Sequence, residues 1–132
     1  MPVTIPASHQ DLMRDATRAF AFLATVMKDG SPQVTPVWFD TEGDLIRINT
    51  ARGRVKESNM KARRQVALAI IDMTDPYRYL QVRGRVVQIT EAGAREHIDR
   101  LSEKYTGNSA YENYQGETRV IFYIQPESVS LH

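Results

Sequence analysis

The chain has 132 residues, 42% of them hydrophobic and 25% charged, which suits one globular domain with a single core and argues against disorder. Its formal net charge is only +1, so bulk electrostatics points neither to nucleic acid nor to an acidic membrane. There is no cysteine, no apolar run of the roughly 18 residues that span a bilayer, and no basic-then-apolar leader in Met1–Gln10. The expectation is one cytoplasmic domain over residues 1–132.

Pro6 followed by Ser8 predicts a capped first helix over His9–Arg18, with Leu12, Ala16 and Ala19 on one face. Ala19–Met27 is apolar at almost every position and reads as the first strand. Asp29-Gly30 is a tight-turn signal leading into a second strand, Gln33–Phe39. Thr41-Glu42-Gly43-Asp44 turns the chain into Leu45–Thr50, so three strands form an antiparallel meander. Gly53–Arg64 then switches to a polar, basic helical pattern with Val55, Asn59 and Ala62 on one face. Gln65–Asp72 alternates as a strand, Asp75-Pro76 turns, and Tyr77–Thr90 reads as one long strand bent at Gly84. Thr90 is expected to cap a helix carrying Ala94, Ile98, Leu101 and Tyr105 at helical spacing, ended by Gly107-Asn108. A polar, tyrosine-rich loop leads to a last strand, Arg119–Ile124, and an extended tail.

Six strands separated by turns predict a mainly β fold, a six-stranded antiparallel barrel with peripheral helices. A strand with one wet face alternates, and Ala19–Met27 does not, so both of its faces need cover. One face is the barrel interior. The other requires a helix of the same chain or, the preferred reading, a second subunit.

His9, His97 and His132 stand far apart in no ligand spacing; they are read as surface residues, with no metal site. The chain lacks the His-Glu-x-x-His, Gly-x-Ser-x-Gly, Gly-x-x-x-x-Gly-Lys and Gly-x-Gly-x-x-Gly patterns. Asp72 with Asp75, and Glu112 with Glu117, flank turns and are read as solvating them. No catalytic residue is assigned. An enzyme of this kind would bring in its reactive group as a cofactor.

The informative segment is Asn49-Thr50-Ala51-Arg52-Gly53-Arg54-Val55-Lys56-Glu57-Ser58-Asn59-Met60, where a strand ends, a turn follows and a helix begins. The first-turn N–H groups of a helix are unpaired and partly positive, and there Arg54 adds a planar fork and Lys56 a mobile point charge. Basic residues at a helix start oppose the macrodipole unless an anion sits there. The Thr50 hydroxyl and the Asn59 amide are candidate further donors. The alternative is a solvated basic face continuing through Lys61, Arg63 and Arg64. Nucleic-acid binding by that face is disfavoured, because no aromatic stacking residues are interleaved with it.

Three features in order resemble the pyridoxamine-phosphate-oxidase-like split barrels, the FMN-binding split-barrel type. They are Thr-x-x-x-Arg-x-Lys-x-x-Asn over residues 50–59, Thr35-Pro36-Val37-Trp38-Phe39, and Leu80-Gln81-Val82-Arg83-Gly84 in a later strand. The opening Ala-Phe-Leu-Ala-Thr-x-x-x-Asp-Gly-x-Pro-Gln-Val-Thr-Pro-Val-Trp is similar to the branch that uses the deazaflavin coenzyme F(420). The resemblance implies that Arg54 and Lys56 clamp a cofactor phosphate. It further implies that Thr35, Pro36, Val37, Ile48, Asn49 and Thr50 line the ring and ribityl chain, and that Gln81 reaches the cofactor from the other subunit. Two symmetric sites at a homodimer interface follow. Trp38 is read either as a stacking residue beside the cofactor or as core.

The implied function is a coenzyme F(420)-dependent oxidoreductase that passes a hydride from the reduced deazaflavin to a small organic substrate. FMN in the same cleft, or a non-enzymatic flavin or deazaflavin carrier, are the alternatives. Arg52, Lys61, Arg63 and Arg64 are expected to give the acidic tail of the deazaflavin a positive exit. The loop bearing Tyr105, Tyr111 and Tyr114 is a candidate cover, with plain aromatic packing as the alternative. Arg83, Arg85 and Arg119 are left between an anionic ligand and internal partners. Pyridoxamine phosphate oxidation itself is not expected, since the relatives that perform it carry a longer basic C-terminal segment.

Overall fold

The protein is described here by a computed structural model covering residues 3–132. Seven strands form one antiparallel sheet: β1 (Phe20–Val26), β2 (Pro32–Val37), β3 (Phe39–Glu42), β4 (Leu45–Ala51), β5 (Gln65–Asp72), β6 (Asp75–Thr90) and β7 (Arg119–Leu131). Their order is β2-β1-β5-β6-β7-β4-β3. Two α-helices, α1 (Val55–Ala62) and α2 (Ala94–Thr106), are inserted. Because β2 ends at Val37 on one edge and β3 starts at Phe39 on the other, a single residue joins the two edges. Two peptide units span at most about 7 Å, so the sheet must curl until its edges meet, which is a split barrel.

The predicted single strand Gln33–Phe39 is therefore two, giving seven strands rather than six. The break is at Trp38, which leaves the ladder to stack on Tyr105, ring centroids 5.5 Å apart and 7° from parallel. The predicted first helix is instead two 3₁₀ turns, Ala7–Met13 and Asp15–Thr17. Ser8 does not cap: its hydroxyl pairs with His9 Nδ1 at 2.8 Å, and Arg14 is extended between the turns. Without the i→i−4 ladder no α-helix propagates.

β1 does alternate once folded. Ala21, Leu23 and Thr25 point into the barrel, while Phe20, Phe22, Ala24 and Val26 are half-buried on the outside. Inside, they meet Phe39, Ile46, Ile48, Leu68, Ile70, Leu80, Val82, Phe122 and Ile124, each essentially inaccessible. Each such side chain contributes about 1.5–3 kcal/mol by leaving water.

The expected bend at Gly84 is present, since the β6–β7 register shifts between Arg83 and Gly84. A Cβ there would lie 2.4 Å from the Gln125 carbonyl oxygen, so only glycine lets the two backbones approach. β7 continues well past Ile124 because its far half keeps pairing with β6, down to Leu80↔Leu131. α2 lies on β7 and β4 with Ala94, Ile98 and Leu101 buried. Its start is made by Gly93 in the left-handed region rather than by Thr90, whose hydroxyl accepts from the Ala92 N–H at 3.1 Å. No helix among the described residues is long and apolar enough to cross a membrane.

Candidate cofactor site

Where β1, β2 and α2 meet the start of α1, the surface opens into a cleft of about 250 Å³. Arg54, Lys56, Asn49 and Arg119 form a polar wall. Phe20, Pro36, Val37, Trp38, Ile98, Leu101 and Tyr111 supply the apolar lining, with the Arg119 guanidinium 5.4 Å from the Tyr111 ring centroid. The cleft thus gathers Pro36, Val37, Trp38, Asn49, Arg54 and Lys56 from three separate segments of the sequence. A larger cavity, about 560 Å³, lies between the N-terminal segment and the β3–β4 turn, but it contains none of the predicted residues.

The polar wall follows from the strand-to-helix turn. Gly53, at φ 93°, takes a left-handed conformation that turns the chain between β4 and α1. Arg54 sits at the N-cap without capping the helix through its side chain. Ser58 is the first residue to donate back, to the Arg54 carbonyl, so the N–H groups of Val55, Lys56 and Glu57 have no intrahelical acceptor. Arg54 and Lys56 form no ion pair among the described residues. Burial, then the charges of Arg54 and Arg119, hold the Lys56 ammonium below the usual lysine range. Among the described residues only Glu117, paired with Arg119 at 2.9 Å, offsets the charge of this wall, and a bound anion would offset the rest.

Glu57 limits how far the helix start can serve as an anion site. It is 2% exposed, accepts from the Gly53 N–H at 2.9 Å and pairs with Arg52 at 3.2 Å. Burial pushes its carboxyl up, but Gly53, Arg52 and Lys61 outweigh that and hold it below the usual carboxylate range. Arg52 also pairs with Glu91 at 3.0 Å. Arg63 donates to the Val26 carbonyl at 2.7 Å and to Asn59 Oδ1 at 3.2 Å. Arg52 and Arg63 are therefore tied into the fold, contrary to their expected place in a positive exit.

The other predicted residues separate. Asn59 is buried, its amide donating to Thr25 Oγ1 at 3.0 Å and approaching Met27 Sδ at 3.3 Å. Both N–H groups are used to pin α1 to β1, so none is free for a ligand. Ile48 is a core side chain with no exposure. Thr35 and Thr50, by contrast, each keep a buried hydroxyl with no hydrogen-bond partner. An unsatisfied buried hydroxyl costs about 1–3 kcal/mol, but neither residue is part of the cleft lining, and Thr50 shares the strand face of the core residues Ile46 and Ile48, opposite Asn49. Gln81 is not in the cleft. It lies on the outer face of the sheet, across from Ala69 and Ser130.

The histidines depart from expectation. His97 has no exposure and His9 is buried, so neither is a surface residue. His97 is held between Asp40 and Asn49: Nε2 lies 2.9 Å from Asp40 Oδ1 and Nδ1 lies 3.1 Å from Asn49 Nδ2. Those neighbours assign the proton to Nε2. Asp40 also accepts two bonds from Arg47, at 2.8 and 2.6 Å. Burial pushes the Asp40 carboxyl up, but the bonds from His97 and Arg47 outweigh it and leave it below the usual range. Periodicity signals a buried α2 face, yet His97 next to Ile98 was not read as part of it.

Tyr105 and Tyr111 part company. The Tyr105 hydroxyl donates to the Ala19 carbonyl at 2.7 Å, and burial pushes it well above the usual phenol range, so it packs rather than reacts. Tyr111 lines the cleft, edge-on to Trp38.

The family model described as pyridoxamine 5'-phosphate oxidase matches residues 7–132. Among solved structures, an F420 reductase is 32% identical, with 96% of this chain and 98% of that one covered and a TM-score of 0.83. A conserved hypothetical protein from Mycobacterium tuberculosis (22% identity, 97% and 84% covered, TM-score 0.73) shares the fold. So does HutZ, the heme storage protein from Vibrio cholerae (17% identity, 98% and 95% covered, TM-score 0.68). No curated protein matches the chain. With its curled antiparallel sheet and a family match running from Ala7 to the last residue, the chain belongs to the pyridoxamine 5'-phosphate oxidase family of split barrels.

Proposed function

We propose that the protein is an oxidoreductase that binds the deazaflavin coenzyme F(420) in the cleft and works with it on a small organic substrate. The observation that carries this reading is the cleft itself: two basic residues with no ion pair among the described residues share its lining with Phe20, Trp38 and Tyr111. The 32% identity to an F420 reductase over nearly the whole of both chains supports the deazaflavin over FMN. Arg54 and Lys56 would hold the phosphate by charge-assisted hydrogen bonds. Pro36, Val37 and Trp38 would bound the ring and exclude water. When bound in its reduced form, the deazaflavin supplies a hydride. The chain's own part is orientation and charge placement. Apoprotein titrated in parallel with coenzyme F(420), FMN and FAD should bind the first most tightly. A yellow protein purified with stoichiometric FMN, and no affinity for the deazaflavin, would overturn the choice.

The same reading includes a homodimer. The outer face of β2, β1, β5 and β6 presents Val34 (64% exposed), Phe22, Ala24, Ala67 and Ala69, with Gln81 and Arg83 beside them. Phe20 and Pro36 lie on this face by register and also line the cleft. A second copy seated here would cover the exposed side of β1 and stand at the cleft's mouth, where its Gln81 could reach in. The interface should exceed roughly 2,000 Å² in total. Sedimentation at micromolar concentration should give a dimer; a stable folded monomer would remove Gln81 from the site.

A further inference from the structure

Arg119, which the sequence leaves between an anionic ligand and an internal partner, has surroundings unlike those of the other basic residues. It opens β7, is 6% exposed, and lines the cleft beside Lys56. Its Nε donates to Asn49 Oδ1 at 2.9 Å and its Nη1 to Glu117 at 2.9 Å. Nη2 makes no hydrogen bond among the described residues. Three of the guanidinium's five N–H donors have no acceptor among the described residues, and Nη2 is not enclosed, so water or a ligand in the cleft can reach it. Asn49 is itself held: Nδ2 donates to the Ala94 carbonyl at 2.8 Å and to His97, and His97 leads through Asp40 to Arg47. Five buried side chains from β3, β4, α2 and β7 thus end on one guanidinium at the cleft wall. Such a chain is more than packing Arg119 against Tyr111 would need.

We propose that Arg119 is a third phosphate ligand of the cleft, acting with Arg54 and Lys56, and that Asn49 is the positioning residue that sets it. The proposal rests on the cofactor-site reading above and adds a residue to it. Its chemistry is that of a phosphate oxyanion received by two guanidinium groups and one ammonium, with Nη2 of Arg119 as a donor that has no acceptor among the described residues. The crowding of the wall agrees with this, since burial and then the charges of Arg54 and Arg119 hold the Lys56 ammonium below the usual lysine range. Asn49, expected to line the ring, then acts through Arg119 instead of touching the ligand.

The test uses the full chain and inorganic phosphate as probe, with binding followed by titration calorimetry or phosphorus NMR. Arg119→Gln should weaken phosphate at least tenfold, as Lys56→Ala should. Asn49→Leu should weaken it several-fold in the wild-type background and have no further effect beside Arg119→Lys. Independent losses from those two substitutions would make Asn49 merely structural and overturn its positioning role. If Arg119→Gln fails to fold, Arg119→Lys carries the test: it keeps the charge but loses the fork, and threefold or greater weakening is expected. Wild-type phosphate binding by the folded Arg119 variant while Lys56→Ala loses it would overturn Arg119 as a ligand and leave the anchor intact. Wild-type binding by both variants would overturn the anchor itself.

Discussion

Two sets of basic residues share the turn and helix after β4, and they have opposite fates. Arg52 and Arg63 each find acceptors within the fold, in Glu57 and Glu91 for one and in the Val26 carbonyl and Asn59 for the other. Arg54 and Lys56, two and four residues from Arg52, find none among the described residues and line a cleft where Arg119 joins them. Each set holds two cations; what separates them is whether the fold places an acceptor beside them, carboxylates for Arg52 and a carbonyl and an amide oxygen for Arg63. A cation with an internal partner contributes to the fold, and one without is available to a ligand at some cost to the fold.

That contrast predicts opposite responses to mutation, and the largest belongs to the partnered side. Asp40→Ala leaves Arg47 and His97 buried without their acceptor and should cost about 3–5 kcal/mol, read from denaturant unfolding. The same group sets an acid limit. Its carboxyl titrates lower in the folded than in the unfolded chain, so its contribution is intact above about pH 4, the unfolded value, and is lost as pH falls through the lower folded value. Asp40→Asn should flatten that acid limb, and an unchanged limb would show that other carboxylates dominate it.

Next in size, Lys56→Ala should weaken cofactor binding tenfold to a hundredfold, the equivalent of one charge-assisted bond of about 1.5–3 kcal/mol, with no loss of thermal stability. Arg52→Ala should do the reverse. It should cost about 1 kcal/mol of stability, a modest figure because the side chain is a third exposed, and leave cofactor affinity within twofold. Equal affinity losses in the two variants would erase the distinction between the sets.

The smallest expected effect is the most specific. Lys56 titrates lower in the folded chain, so its charged form is disfavoured by folding. That penalty is fully present below the folded value and is relieved as pH rises through it towards about 10.4, the unfolded value. Lys56→Met should therefore gain up to about 1 kcal/mol at neutral pH and lose part of the wild type's stability rise in alkali. Saturating cofactor should cancel the wild type's deficit.

Most of the strands were legible because alternation and turn residues are local signals. Gln65–Asp72 was read residue for residue, and Gly84 and Gly107 were assigned their structural roles correctly. The first helix was not, since Ser8 found a side-chain partner in His9 before it could cap. Trp38 was ambiguous because a stacking partner 67 residues away decides whether it stays in the strand. Within the site, Arg54 and Lys56 followed from the turn and helix start, whereas Arg119 and Tyr111 come from a distant loop and strand and bear no sequence relation to them. Asn59 matched the family pattern, yet its amide is spent on Thr25 and Met27.

The order of the elements, the apolar inner row of each strand and the basic strand-to-helix turn were determined by the sequence alone, because each depends on neighbours within a few residues. Tertiary structure alone decided which charges cancel, which face of β1 stays half-exposed, and that a buried chain from Arg47 ends on Arg119. Those outcomes depend on contacts between residues tens of positions apart, which exist only once the sheet has curled and its two edges meet at Trp38.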